Sequence, residues 1–157
     1  MLNQIQINMS IGENITVVRV VPLARLTTEL PFFTSTVSAG FPSPADDYIE
    51  ERLSLDKLVI RNPSSTFFVQ VDGVSMQGAG IYHGDILVVD RSLRAKHNDV
   101  IVAIVEGEYT VKRLVKALNG YFLRAEHPDY PPIPLHEHSE FIAWGVVIKV
   151  IHDPYPV

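Results

Sequence analysis

One serine stands where a bend in the chain could hold a hydroxyl beside backbone N–H groups. Gly73-Val74-Ser75-Met76-Gln77-Gly78-Ala79-Gly80 runs from a strand-like segment into a glycine-rich loop, and Ser75 lies near its start. A nucleophile with an oxyanion hole needs that arrangement. A serine among glycines is also an ordinary turn residue. No histidine stands near Ser75 in a triad motif, and Gly73-Val74-Ser75-Met76-Gln77 lacks the second glycine of a nucleophile elbow. If Ser75 is a nucleophile, its base comes from elsewhere in the chain.

Lys112 is the candidate base. In Tyr109-Thr110-Val111-Lys112-Arg113-Leu114, strand alternation puts Thr110, Lys112 and Leu114 on one face and Val111 on the other. Apolar walls around the ammonium would lower its pKa, and only the neutral amine can accept a proton. The competing reading is a strand lysine that points to solvent.

Around these two residues the pattern is β. Strands are expected at Phe67 to Asp72, Asp85 to Asp90, Val100 to Val105, Tyr109 to Leu114, Tyr121 to Ala125 and Phe141 to Ile151. Glu106-Gly107-Glu108 reads as a hairpin turn, and the wholly apolar Val100 to Val105 reads as a strand buried on both faces. Pro128, Pro131, Pro132 and Pro134 argue for an ordered loop without regular strand. One helix is expected from Pro44 to about Ser54, with Ser43 as cap, Asp46 as its partner, and Ala45, Ile49 and Leu53 on one stripe. Leu55 to Ile60 reads as a further turn or short strand. Ahead of the helix, Ile15 to Val21 reads as a strand stopped by Pro22 in an otherwise extended arm. Thr34 to Gly40 is a small, polar stretch that a protease cleft could accept in extended form.

Composition narrows the function classes. A chain of 157 residues favours one core. Its 13 basic and 18 acidic residues give 13 − 18 = −5, so no basic field exists for autonomous DNA binding. The absence of cysteine excludes thiol catalysis, disulfides and zinc-thiolate sites. No apolar run reaches the roughly 20 residues of a membrane span. Val37-Ser38-Ala39 resembles the end of a signal peptide, but no charged n-region or apolar h-region precedes it, so cytoplasmic residence is expected. His136-Glu137-His138 offers two imidazoles without a third ligand, so neither a metal nor another cofactor is expected.

Over roughly Ser38 to Ile151 the chain resembles the UmuD-type SOS mutagenesis proteins and, more distantly, the self-cleaving part of LexA-type repressors. The residues that carry the resemblance are Ala39-Gly40-Phe41-Pro42-Ser43-Pro44, Gly73-Val74-Ser75-Met76, Gly84-Asp85 and Thr110-Val111-Lys112. Their spacing matches as well: 75 − 39 = 36 positions and 112 − 75 = 37. The resemblance implies a mainly β, LexA/UmuD C-terminal-like body, a partly open barrel or sheet with one short helix and an extended N-terminal arm. It implies a serine–lysine dyad in which Lys112 deprotonates Ser75 and Ser75 attacks the Ala39 carbonyl, so that the bond to Gly40 breaks. The N–H groups of Val74 and Ser75 are the expected oxyanion donors, and Val37 and Met76 the expected pocket residues.

Cleavage would release an arm of residues 1–39 and leave a body of 40–157. By the same resemblance, a RecA filament on single-stranded DNA promotes the cut, and the shortened homodimer serves a UmuC-type translesion polymerase. A LexA-type repressor would need a helical DNA-binding domain before the junction, and residues 1–39 are too short and too β-branched for one. The rival from another class is a non-catalytic dimeric interaction module, regulating a DNA repair or transcription partner, in which Ser75 and Lys112 are structural.

Overall fold

The computed structural model of the chain describes residues 20–22, 29–33, 39–40 and 49–154. Contacts divide the chain into two units, one of residues 1–23 with 61–157 and one of residues 24–60. The expected arm and body meet inside the smaller unit, at Ala39–Gly40, so compactness follows other boundaries than the expected cut.

Strands in the larger unit form one antiparallel sheet. In chain order they are β1 (Val20–Pro22), β4 (Thr66–Gln70), β5 (Ile86–Asp90), β6 (Val100–Val105), β7 (Glu108–Ala117), β8 (Gly120–Arg124), β9 (Ile133–Leu135) and β10 (Phe141–Ile151). Their spatial order is β1-β4-β5-β10-β6-β7-β8-β9, so the described sheet is open, with β1 and β9 at its edges. The expected mainly β class and unclosed body are borne out. All six strands expected beyond Thr66 are present, with ends moved by up to three residues. β1 overlaps the expected Ile15–Val21 strand, whose first residues lie outside the described ones, and pairs with β4.

The centre of the sheet is dry because both faces of β6 are apolar. Val102 joins Val69, Val71, Met76, Leu87, Val89 and Val111 in one cluster. Its neighbours Ile101 and Ala103 join Leu114, Leu123 and Val146 in another. Strand alternation sends successive side chains to opposite faces, so an unbroken apolar run serves two cores. At the β6–β7 turn Glu106 and Gly107 have φ of 50° and 81°. Two central residues with positive φ form the turn whose twist matches a hairpin, as the Glu106-Gly107 pair suggests.

β10 crosses the sheet between β5 and β6 and is bulged twice, between Ala143 and Gly145 and between Val147 and Lys149. The first bulge frees Trp144 from the ladder. Its ring lies 5.5 Å from Phe67 and 6.0 Å from Tyr109, and the Arg91 guanidinium stands 4.7 Å from the indole centroid.

Two expectations are corrected. The expected helix from Pro44 to Ser54 is, over its described part, the strand β3 (Ile49–Ser54), which pairs with β2 (Glu29–Phe33) and sets Leu30 opposite Leu53. A cross-strand partner decides the matter over a short stretch whose two apolar residues, Ile49 and Leu53, are four apart and so share a face in a strand as well as in a helix. The helix of this unit is α1 (Leu55–Val59), which starts where the expected one ends, with Ser54 at its cap position. Ser43, Pro44, Ala45 and Asp46 lie outside the described residues. The second correction is β9, which contains Pro134 within the stretch read as loop. β9 is an edge strand, where a residue without N–H is tolerated.

Candidate active site

The Ser75 loop is closed at its base by the strands on either side. Gly84 N–H donates to the Val71 carbonyl at 2.8 Å, and Val71 N–H donates to that of Asp85 at 2.9 Å. The buried Asp85 carboxylate accepts from Tyr82 N–H at 2.8 Å and lies 2.7 Å from His152 Nδ1 on the C-terminal segment. Within the loop Gln77-Gly78-Ala79 makes a single 3-10 turn. Met76 drives its side chain into the core, where 1% of it is exposed. That anchor fixes the neighbouring Ser75.

Lys112 arrives from β7. Its register partner on β6 is Ile101, and Thr110 faces Ala103. Lys112 therefore stands on a face shared with Ile101, Ala103 and Leu114. The expected alternation holds, and both faces are covered: Lys112 is 3% exposed, Val111 fully buried and Ser75 1% exposed. Burial lowers the Lys112 ammonium from the ordinary 10.5 to about 8.

The two side chains meet. Lys112 Nζ lies 3.1 Å from Ser75 Oγ, 3.0 Å from Thr110 Oγ1 and 3.1 Å from the Val111 carbonyl oxygen. These three partners suit both protonation states. As an ammonium, Nζ donates to all three. As an amine it keeps two N–H bonds, to Thr110 and Val111, and turns its lone pair toward the Ser75 hydroxyl, which then donates. The neutral amine is thereby aimed at the proton it would remove.

A family model described as Peptidase S24-like matches residues 31–148. The chain belongs to the S24-like peptidases. Protein MucA of Salmonella typhimurium is 42% identical over 119 residues, which are 75% of this chain and 81% of that protein. Protein ImpA of Shigella flexneri is 41% identical over 122 residues, 78% of this chain and 83% of its own. A LexA repressor of Shewanella piezotolerans is 42% identical over 118 residues, 74% of this chain and 57% of the repressor. The resemblance to UmuD-type proteins and LexA-type repressors is thus borne out. With it stands the coarse assignment of a self-cleaving serine peptidase of the SOS type.

The other expected site residues of this S24-like chain are distributed as follows. Ala39 and Gly40 form an exposed bend in the smaller unit. Val37 lies outside the described residues. Val74 is partly exposed beside the nucleophile, and Met76 belongs to the core beneath it. His136 and His138 lie in the turn after β9, and no group of three or more metal-ligating side chains occurs among the described residues. No helix among the described residues is long and apolar enough to cross a membrane. The Val111 carbonyl and the backbone of Glu126, which accompany the dyad, carry no sequence signal. Thr110 was visible in the sequence as a residue two positions from Lys112 on one face and as part of the Thr110-Val111-Lys112 motif, without a role in holding the amine.

Proposed function

We propose that the chain cuts its own Ala39–Gly40 bond with the Ser75–Lys112 dyad. The observation that carries this reading is the 3.1 Å approach of Lys112 Nζ to Ser75 Oγ between two buried side chains, one of them an amine held at about 8. Lys112 takes the hydroxyl proton as Ser75 Oγ attacks the Ala39 carbonyl carbon. The N–H groups of Val74 and Ser75 hold the developing oxyanion; among the described residues, no backbone carbonyl accepts from either. On collapse the C–N bond breaks, the Lys112 ammonium returns its proton to the Gly40 nitrogen, and residues 1–39 remain as an ester on Ser75. A water, deprotonated by Lys112, then attacks the ester carbon, the bond to Ser75 Oγ breaks, and the Lys112 ammonium returns the proton to that oxygen. Val37 of the docked segment fills a shallow pocket beside the nucleophile, with Met76 in the core beneath it.

The processed 40–157 homodimer is, in this reading, the cytoplasmic accessory subunit of a UmuC-type translesion polymerase, and a RecA filament on single-stranded DNA orders the leader for cutting. The family resemblance supports these partners. Failure of the 40–157 fragment to retain a cognate polymerase at physiological salt removes the polymerase.

Self-cleavage of the pure full-length protein tests the chemistry. Mass spectrometry should find fragments ending at Ala39 and starting at Gly40, absent from Ser75→Ala and Lys112→Ala and blocked by a bulky acidic residue at position 39. With Nζ at about 8, the neutral fraction climbs from roughly a tenth at pH 7 to roughly nine tenths at pH 9, so the rate should rise about tenfold and level off. Cutting elsewhere, cutting by Ser75→Ala, or a rate that keeps climbing past pH 10 defeats the proposal.

A further inference from the structure

We propose that Glu126 is a positioning residue that sets the nucleophile loop against the base strand, an inference that rests on the dyad reading above. Its backbone grips the loop. Glu126 N–H donates to the Ser75 carbonyl at 2.9 Å, and Gly78 N–H donates to the Glu126 carbonyl at 2.8 Å. Its side chain grips the base strand. Oε1 accepts from Arg113 Nε, and from an Arg124 Nη at 3.0 Å. Arg113 follows Lys112 on β7 and is held on its other side by donating to the Asn98 carbonyl at 2.7 Å.

One residue thus touches the nucleophile's own peptide and the residue next to the base. The register makes the carboxylate necessary. Arg113 and Arg124 stand directly opposite each other on β7 and β8, and like charges across such a pair repel. A shared carboxylate turns that repulsion into a three-membered ionic cluster. The Arg113 hydrogen bond lowers the Glu126 pKa most, burial opposes it, and Arg124 adds to the lowering, so the side chain is ionised throughout the neutral range. The fit is also tight on the loop side. A Cβ on Gly78 would lie 2.6 Å from the Glu126 carbonyl oxygen, so any side chain there pushes the two segments apart.

The consequence falls on Lys112. Its polar partners, Ser75, Thr110 and the Val111 carbonyl, are all neutral. Its lowered affinity for protons therefore depends on dry contact and not on a neighbouring charge. Slack between loop and strand lengthens the Nζ–Oγ approach and admits water.

The test compares pure full-length Glu126→Ala, Glu126→Gln and Gly78→Ala with the unaltered protein and Ser75→Ala, measuring Ala39–Gly40 cleavage across pH 7 to 10 and folding by circular dichroism. Glu126→Ala should cut about tenfold or more slowly near pH 7.5, with its pH midpoint moved upward because a wetter lysine holds its proton longer. Gln keeps an acceptor oxygen for both guanidinium groups and should restore at least half of the lost rate. Gly78→Ala should reproduce the slow, upward-shifted profile with the ionic cluster chemically intact. A folded Glu126→Ala with the original rate, a slowed one with an unmoved midpoint, or a Gly78→Ala that cuts normally overturns the proposal. Failure of the dyad reading looks different: the unaltered protein leaves no Ala39–Gly40 fragments, or Ser75→Ala does, and the role of Glu126 falls with it.

Discussion

Replacing Lys112 by methionine should make the protein more stable while silencing it. The magnitude follows from the burial. The unfolded chain holds the lysine proton up to the ordinary 10.5 and the folded chain only up to about 8, a difference of roughly 2.5 units, or about 3 kcal/mol. Between those values the unfolded state binds more protons, so stability rises with pH through that window, and below pH 8 the full penalty is present. Methionine fills similar volume without charge and removes the penalty. It also leaves Thr110 Oγ1 and the Val111 carbonyl without their donor, a loss of about 2 kcal/mol for the pair. The net gain at pH 7 is about 1 kcal/mol, or about 3 °C in Tm for a domain of this size. Urea unfolding followed by circular dichroism at pH 7 and at pH 10.5 measures it, in a Ser75→Ala background so that no chain is cut. The gain should shrink by more than half at the higher pH. A methionine variant less stable than its parent at pH 7, or equally favoured at both pH values, refutes a desolvated lysine.

Two further outcomes are expected. Thr110→Val keeps the shape of a buried side chain and deletes the hydroxyl 3.0 Å from Nζ; self-cleavage should slow about tenfold with Tm little changed, because the amine loses one of the two partners that aim its lone pair. Asp90 is fully buried and accepts from Asn62 Nδ2, Ser65 Oγ, and the backbone and hydroxyl of Ser92. Burial opposes ionisation there, but these hydrogen bonds outweigh it and the pKa lies below the ordinary 3.8, so its contribution is present above pH 3.8 and lost as pH falls through the folded value. Asp90→Asn should cost about 2 kcal/mol at neutral pH and flatten the acid limb of a calorimetric Tm profile.

Much of the fold was legible because local pattern and tertiary need agree. The run Val100 to Val105 can serve two faces and does so at its buried centre, Ile101 to Ala103, and Gly107 is at ease with one of the two positive φ values of the tight hairpin. Agreement fails where a distant partner decides. Ile49 and Leu53 satisfy a helical stripe on paper, yet β2 offers a strand to pair with. Pro134 looks like a strand breaker until its place on the sheet edge removes the need for its missing N–H. In the site, alternation alone located Thr110 beside Lys112. The approach of Ser75, 37 positions away, was visible only through family resemblance, because contact across the chain leaves no periodic trace. The Glu126 bridge left none at all.

Trp144 is the sole tryptophan of the chain, and the bulge that expels it from β10 seats its ring against side chains of β4 and β7 and beneath Arg91 at the end of β5. Its light emission therefore reads the joining of several strands at once, from a position outside the dyad's hydrogen bonds. Tyr109 is near enough to pass excitation energy to it, and that transfer weakens when the strands part. The protein carries its own optical gauge of sheet integrity, readable without attaching a dye.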